Sequence, residues 1–277
     1  MKHFPSIFLS LLLPLAVAAQ SVQIQDGAIR AEFSVSDSTK VYFSQGNLQY
    51  QASTNTWRFA EHQWDYVGYD NKNISEKYAG WIDLFGWGTS GYNGKNPYMT
   101  SKKDTDYGDG ENDIAGTNYD WGVYNKISNG GNQTGLWRTL TYDEWNYLIS
   151  GRAQANRLMR QGRVNNVNGL ILLPDSWATE TPSSVRFTYD PGNYSTNVYS
   201  LDEWAVMESY GAVFLPAAGC RNGTGVSDVG SYGSYWSSSA VDYYYAGFLD
   251  FDSYSVSTSY DGYRDNGRSV RLVQDVK

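Results

Sequence analysis

The sequence is poor in the residues that most metal sites, disulfides and nucleophilic catalysts use. Its 277 residues include one Cys, Cys220, and two His, His3 and His62, and 18% of them are charged, against about 25% in an average soluble chain. A single Cys excludes a disulfide within the chain, and Cys/His zinc sites are excluded with it. The composition therefore removes several common enzyme classes before any motif is considered.

Residues 1–19 have the pattern of a secretory signal peptide. A basic start with Lys2 is followed by an apolar run from Ile7 to Val17 and by small residues, Ala16 to Ala19, at the expected cleavage site. We therefore expect an exported protein, located at the cell surface, in a periplasm or outside the cell. No later apolar stretch approaches the roughly 20 residues that span a bilayer, and no Cys follows the run to accept a lipid anchor.

Removal of this segment would change the net charge from −8 to −9, because Lys2 is its one charged side chain. An acidic chain repels phosphate backbones, and no Lys/Arg run along the sequence compensates for it. Nucleic-acid binding is therefore not expected. The removal would also leave His62 as the one His that a Ser-His-Asp triad could use.

The order of sequence patterns predicts an α+β chain in two parts, residues 20–135 and residues 136–277, that form one compact unit. The first part begins with short alternating strands, such as Lys40 to Phe43, and continues through residues 57–135 as a loop-rich layer. Five Trp in that layer either fill its core, which we favour, or offer stacking platforms for glycans: Trp57, Trp64, Trp81, Trp87 and Trp121.

Two helices are predicted by capping boxes at Thr141–Glu144 and Ser200–Glu203, where a hydroxyl and a carboxylate three residues apart satisfy free N–H groups. Gly151 and Gly211 stand where C-terminal caps belong. Each predicted helix has one apolar stripe for a core, formed by Trp145, Leu148 and Ile149 in the first and by Trp204 and Met207 in the second.

Three apolar runs are candidates for buried strands. Leu170–Leu173 stops at Pro174, and Ala212–Leu215 stops at Pro216, as expected because proline cannot continue a central strand. The third run is Val270–Val273 near the end of the chain.

Residues 231–266 have the most unusual composition. They contain 9 Ser, 8 Tyr, 5 Asp and 3 Gly in 36 positions, a mixture typical of antibody binding loops. Leu249, Phe251 and Val256 alternate with Phe248, Asp250 and Asp252, so one side is expected to face a core and the other to face outward. An ordinary Tyr-rich edge hairpin and a ligand-binding face are both consistent with this pattern.

Several motifs resemble those of bacterial C-type-lectin-fold proteins. The closing motif is Gly233–Ser239 followed by Gly267–Val273, and the preceding elements are Leu140–Trp145, Leu173–Asp175 and Phe214–Gly219. The group includes formylglycine-generating-enzyme-like domains, the major-paralogous-domain (FISUMP) proteins of gut bacteria and the variable proteins of diversity-generating retroelements. The resemblance covers residues 136–277, and Trp57–Ala60 and Trp81–Gly88 resemble a prefix of one exported subgroup.

The resemblance implies a C-type-lectin-like fold with two helices, a small mostly antiparallel sheet and long loops. In retroelement-diversified members of the family, the last strands and loops display variable residues on an invariant apolar scaffold. In this chain, the resemblance implies that the scaffold residues are Trp236, Leu249, Phe251, Val270 and Leu272. The corresponding candidate ligand-binding residues in this chain are Ser231, Tyr232, Asp242, Tyr243, Tyr244, Tyr245, Gly247, Asp250, Asp252, Ser253, Tyr254, Ser257, Ser259, Tyr260, Asp261, Tyr263 and Asp265.

The catalytic members of this group use ligands that this chain lacks. Formylglycine-generating members depend on paired cysteines and related iron oxygenases on several His ligands, so catalysis by analogy of fold is unsafe. We expect no catalytic residue and no cofactor. Cys220 is predicted to be a small buried residue, and His62 to be a surface or loop residue.

An acidic loop is a candidate calcium site, because calcium prefers oxygen ligands. Its spacing does not match the EF-hand, and a solvated acidic turn is the favoured interpretation over a calcium site. The elements that resemble lectins also lack the sugar-chelating pattern, because Leu173-Pro174-Asp175 stands at the proline and Trp236 precedes Ser237-Ser238. No metal site is therefore predicted. The acidic side chains are Asp104, Asp106, Asp109, Glu111 and Asp113.

The sequence thus predicts an exported, non-enzymatic binding protein, adhesin-like or receptor-like, that recognises a protein or glycan on another cell or surface. The alternatives are a structural cell-surface or pilus-tip subunit with an assembly partner in the cell envelope, and a glycan-binding module. An enzyme would need a nucleophile or metal system that the sequence does not reveal.

Overall fold

The computed structural model describes residues 22–277, and the predicted signal peptide lies outside the described residues. The chain is α+β, with many short strands in small sheets and few helices. The strands are β1 (Ile24–Gln25), β2 (Ala28–Ile29), β3 (Phe33–Ser34), β4 (Lys40–Phe43), β5 (Leu48–Gln51), β6 (Thr56–Phe59), β7 (Arg138–Thr139), β8 (Met159–Val164), β9 (Val167–Leu172), β10 (Val198–Tyr199), β11 (Val213–Pro216), β12 (Cys220–Asn222), β13 (Gly225–Ser227), β14 (Gly233–Ala240), β15 (Tyr245–Phe251), β16 (Val256–Tyr263), β17 (Asn266–Gly267) and β18 (Leu272–Asp275).

Helical structure is brief. The α-helices are α1 (Trp121–Tyr124), α2 (Tyr142–Asn146), which continues as a π-helical turn (Tyr147–Gly151), and α3 (Leu201–Ser209). Short 3₁₀ segments are found at Ala52–Thr54, Gly68–Asn73, Tyr92–Gly94, Asp104–Asp106, Ala155–Arg157 and Asp175–Ala178. Within residues 22–277, no helix has the length and apolarity needed to cross a bilayer.

The beginning and the end of the described chain share one sheet, in the order β3-β4-β18-β7. Val273 pairs with Phe43 and Leu272 with Thr139, both antiparallel. This sheet therefore joins strands from both predicted parts of the chain. A second four-stranded sheet has the order β10-β8-β9-β11 and contains most of the predicted runs Leu170–Leu173 and Ala212–Leu215. Strand β9 ends at Leu172, and β11 begins at Val213 and includes Pro216, which pairs with Gly169 as the last residue of the strand.

Both predicted capping boxes are confirmed, since the hydroxyls of Thr141 and Ser200 accept from the backbone N–H groups of Glu144 and Glu203, which bond back to the caps. The residues of both stripes are buried. Gly211 is a left-handed C-terminal residue, with φ +86°.

Gly151 is not such a cap, and this prediction was wrong. The backbone N–H of Arg152 donates to the carbonyl of Tyr147, five residues back, at 2.8 Å. The buried Arg152 side chain also donates to the Leu148 carbonyl at 2.9 Å. Helix α2 therefore ends in a wide turn that satisfies its carbonyls without a left-handed glycine.

The tryptophans of the N-terminal part mostly fill a core, as favoured from the sequence. Trp57, Trp87 and Trp121 are buried in a cluster with Phe85. Trp64 and Trp81 are partly exposed. Trp81 carries the Arg58 guanidinium at 3.8 Å from its ring centroid, so one ring face is covered rather than free to stack on a glycan.

The Ser/Tyr-rich segment forms a three-stranded antiparallel sheet in the order β14-β15-β16. One face packs Leu249 and Phe251 into a core and lies against α2. The expectation that Phe248 faces outward was wrong, because it is 6% exposed beneath Arg268, whose guanidinium lies 3.7 Å from its ring centroid. The second face is thus also covered at its centre.

Candidate functional site

The two hairpin turns of this three-stranded sheet are built in the same way. In the first, Asp242 Oδ1 accepts from the backbone N–H groups of Tyr244 and Tyr245, at 2.7 and 2.9 Å. In the second, Asp252 Oδ1 accepts from those of Tyr254 and Ser255, at 2.7 and 2.8 Å. Such side-chain bonds fix a turn locally, so each turn holds an exposed tyrosine in a defined position.

The first turn gathers four tyrosines, Tyr243, Tyr244, Tyr245 and Tyr263, which we call the tyrosine cluster. Tyr245 and Tyr263 are directly opposite each other in β15 and β16, with ring centroids 4.7 Å apart. Their hydrogen bond raises the pKa of Tyr245 to about 12. Tyr243, Tyr244 and Tyr263 are each about half exposed, at 50%, 53% and 50%, and therefore offer a stiff amphipathic surface.

Arg264 supports the tyrosine cluster from beneath. Its guanidinium donates to the carbonyls of Tyr245 and Gly110 and lies 4.2 Å from the ring centroid of Trp87. Its backbone N–H also donates to the Tyr244 carbonyl at 3.0 Å. Burial lowers the pKa of Arg264 to about 10. The sequence analysis missed this residue, although an Arg in a segment without Lys or Glu was a usable signal.

The second turn lies at the opposite end of the sheet. The seven residues of β15 separate the turns by about 20 Å at about 3.3 Å per residue. Tyr254 projects from this turn and is 84% exposed. Beside it, an open cavity of about 400 Å³ is lined by Asp228, Ser231, Tyr232 and Asp252.

Between the turns lies a polar strip. The Tyr232 hydroxyl donates to Asp250 Oδ2 at 3.1 Å, and Arg268 donates to Ser234 Oγ. Burial raises the pKa of both Tyr232 and Asp250. On the edge strand β16, Ser257 and Asp261 are exposed and Ser259 is half-buried.

The candidate residues therefore divide among two turns and the strip between them. The prediction that Gly247 and Asp265 bind a ligand was wrong, because both residues are buried. A side chain at Gly247 would meet Ser237 and Tyr142 within about 3 Å, and Asp265, between β16 and β17, is 6% exposed. Ser253 lies half-buried in the second turn. Tyr260 belongs to β16, but its side chain is outside the described part of the structure.

Two carboxylates of the acidic loop hold the base of the tyrosine cluster. Asp113 Oδ1 accepts from the Ala240 N–H at 2.7 Å, and Asp104 Oδ1 accepts from that of Asp265 at 3.1 Å. In the described range 22–277, no group of three His, Cys, Asp or Glu residues is arranged to hold a metal ion. The acidic loop is thus attached to the tyrosine cluster by hydrogen bonds from backbone N–H groups to its carboxylates.

Cys220 and His62 are peripheral. The prediction of burial for Cys220 was wrong, because it is partly exposed on β12, with Sγ 3.4 Å from Ser227 Oγ. His62 is exposed in a turn, as predicted, with Nδ1 3.0 Å from Asp65 Oδ2 and its ring stacked on Trp64.

Comparison of the chain with protein-family models, with curated proteins and with solved structures finds no match.

Proposed function

We propose that the protein is an exported, non-enzymatic binding protein of C-type-lectin-like fold that captures a protein or glycan ligand through the Ser/Tyr-rich sheet. The tyrosine cluster carries this proposal. Three of its tyrosines are half-exposed, and the turn that carries them is fixed by Asp242, which accepts from the N–H groups of Tyr244 and Tyr245, and by Arg264, which donates to the Tyr245 carbonyl. Rigid tyrosines lose little conformational entropy on binding, which is why they serve as anchors in binding surfaces.

Contacts between the motif halves support the proposed family. The backbone N–H of Trp236 donates to the Ser269 carbonyl at 3.0 Å, and its ring carries the Arg268 guanidinium at 4.9 Å. Its indole N–H donates to the Phe85 carbonyl at 2.7 Å, within the upstream segment Trp81–Gly88. The segments that resemble the family thus pack together around one tryptophan.

The test is loss of ligand capture when the exposed tyrosines are removed together. Labelled protein is applied to a glycan array and to a panel of intact bacterial cells, and a triple Tyr243→Ala, Tyr244→Ala, Tyr263→Ala variant is compared with wild type. Capture should fall at least about tenfold, since each anchor contributes more than about 1 kcal/mol, while the melting temperature changes little. Tyr69→Ala is the control, because Tyr69 is 57% exposed outside the sheet. Equal loss in both variants would contradict the proposal.

Retroelement diversification is a separate part of the proposal. It is supported by the contrast between the exposed turn tyrosines and the buried residues Trp236, Leu249 and Phe251. The test is genomic. A neighbouring reverse transcriptase gene and a near-copy of the DNA for residues 231–268 that differs at template adenines are expected, and their absence would leave an invariant binder.

The edge strand β16 favours a second candidate, a structural surface subunit. β16 is the last strand of its sheet, and its eight residues contain no Lys or Pro, the residues that often protect edges from pairing. Sedimentation of the purified protein distinguishes the two candidates. A monomer at all concentrations favours the binding protein, and concentration-dependent assembly that a Thr258→Pro variant abolishes favours the subunit.

A further inference from the structure

A basic groove lies apart from the Ser/Tyr-rich sheet. It encloses about 680 Å³ and is lined on its charged side by Arg157, Arg160, Arg186 and Asp190, a volume within the range of small-ligand sites. Arg157 in the 3₁₀ turn Ala155–Arg157 and Arg160 in β8 are three residues apart, whereas Arg186 comes from the loop before β10. Their convergence is unexpected in a chain of net charge −8, although residues 152–163 contain four Arg and no acidic residue.

The loop wall of the groove is held in place. The buried Phe187 belongs to a core cluster with Trp177. The Tyr199 hydroxyl donates to the Arg186 carbonyl at 2.8 Å. Asn197, which is buried, accepts from the Thr188 N–H at 2.8 Å and donates to the Thr188 carbonyl at 3.2 Å. Arg186 therefore extends from an anchored segment.

The arginines keep donor capacity for a ligand. None of the three takes part in an ion pair among residues 22–277. Arg160 uses Nη1 on the Met159 carbonyl, while its buried Nε has no hydrogen-bond partner. Burial also lowers the pKa of Arg160, so a ligand that carries negative charge would relieve an unfavourable environment.

We propose that this groove binds a saccharide that carries carboxylate groups, such as a uronic or sialic acid. Guanidinium groups form paired hydrogen bonds with carboxylates. The remaining lining favours a sugar over an acidic peptide, because Asp190, Asn156 and Thr188 offer acceptors for the hydroxyl donors that a sugar carries and an acidic peptide lacks.

The groove lies on the other side of β8 from the second turn of the Ser/Tyr-rich sheet. Gln161 donates to the Ser255 carbonyl at 3.2 Å, and Arg160 precedes it in β8. Successive strand residues face opposite sides, so Arg160 faces away from the second turn. Loss of the proposed function of the Ser/Tyr-rich sheet would leave binding in the groove intact.

The test is titration calorimetry of the whole mature chain with tetragalacturonate and with 3′-sialyllactose. At least one should bind, more weakly as salt rises. The carboxyl methyl ester of the saccharide that binds should bind at least tenfold more weakly than the free acid. Tetraglutamate should also bind at least tenfold more weakly than that saccharide. Arg160→Gln and Arg186→Gln should each weaken binding about tenfold or more, as expected for charge-assisted hydrogen bonds.

The matched control is Arg163→Gln, which removes the same charge from the same strand, where Arg163 donates to Asn168 at 2.9 Å. It should bind like wild type, and all variants should keep the melting temperature of wild type within a few degrees. Four results would overturn the proposal: no binding of either saccharide, equal binding of the ester, equal binding of tetraglutamate, or equal weakening by Arg163→Gln. If the Arg160→Gln variant alone fails to fold, the binding measured with the Arg186→Gln variant decides whether the proposal holds.

Discussion

The tryptophans of the N-terminal part and the tyrosine cluster use aromatic side chains in opposite ways. Trp57, Trp87 and Trp121 are buried, and the indole N–H of Trp87 donates to the carbonyl of Ser237 at 2.8 Å. Tyr243, Tyr244 and Tyr263 instead keep about half of their surface at the solvent. Buried indoles contribute to the stability of the fold, whereas exposed phenols contribute area for a partner. The comparison teaches that aromatic content becomes informative only with its burial.

Trp87→Ala should give the largest effect. Truncation of a fully buried Trp leaves a cavity and is expected to lower the free energy of unfolding by about 3–5 kcal/mol. Denaturant unfolding measures this change. Trp81→Ala is the matched control, because Trp81 is partly exposed, and it should cost much less. Similar losses in both variants would mean that burial does not separate the two tryptophans.

The two regions should respond to pH in opposite directions. Asp83 and Asp120, both buried in the N-terminal part, have a pKa raised to about 6 by burial. Their contribution to stability is fully present below about pH 4 and is lost as the pH rises through 6, by about 3 kcal/mol per carboxyl. NMR titration of carboxyl carbons measures each group.

Asp252 in the second turn is the comparison group. Its backbone hydrogen bond from Tyr254 lowers the pKa of this carboxyl below its usual range. Its contribution is present above pH 4 and lost as the pH falls through the lowered value. If Asp252 titrated together with Asp83 and Asp120 near pH 6, the contrast between the regions would fail.

Arg264→Met should have an intermediate effect, since this residue links the two regions. The variant keeps an apolar contact with Trp87 but leaves the carbonyls of Tyr245 and Gly110 without this donor, at a cost of about 2 kcal/mol. Hydrogen exchange of amides in the first turn should also speed up. Arg163→Met, at a half-buried arginine of β8 away from both regions, is the control. A coupling near zero with Trp87→Phe in a double-mutant cycle would refute the link.

Tyr254→Ala should have the smallest effect. With 84% of its surface exposed, Tyr254 contributes little burial, and its removal should change the free energy of unfolding by less than about 0.5 kcal/mol. Equilibrium unfolding in urea checks this value. A larger loss would place Tyr254 with the tryptophans as a structural residue, whereas Asp252→Ala should destabilise because it removes the acceptor of the turn.

Features determined by neighbouring residues could be predicted from the sequence. Both capping boxes depend on side chains three residues apart, and they were predicted correctly. The Asp turns depend on equally local bonds, and Asp242 followed by Tyr243 and Tyr244 could have been recognised as a turn signal.

Features that depend on distant residues could not be predicted. Phe248 follows an outward-facing pattern, but Arg268 covers it. Gly247 lies in a variable-looking stretch, but Tyr142 from α2 packs against it. The arginine groove could be predicted only in part, because residues 152–163 contain four Arg but Arg186 joins them from a later loop. Alternation in a sequence identifies two faces of a strand, and tertiary contacts decide whether either face is open.

The pairing of β4 with β18 has a consequence for folding. Val273 pairs with Phe43, so the partner strand is synthesised some 230 residues later. Contacts of such separation form slowly because a long loop must close first. Until residues 272–275 have left the ribosome, Val41 and Phe43 have no partner on that side. The chain therefore passes through a period with an incomplete core, during which chaperones can bind its apolar strands.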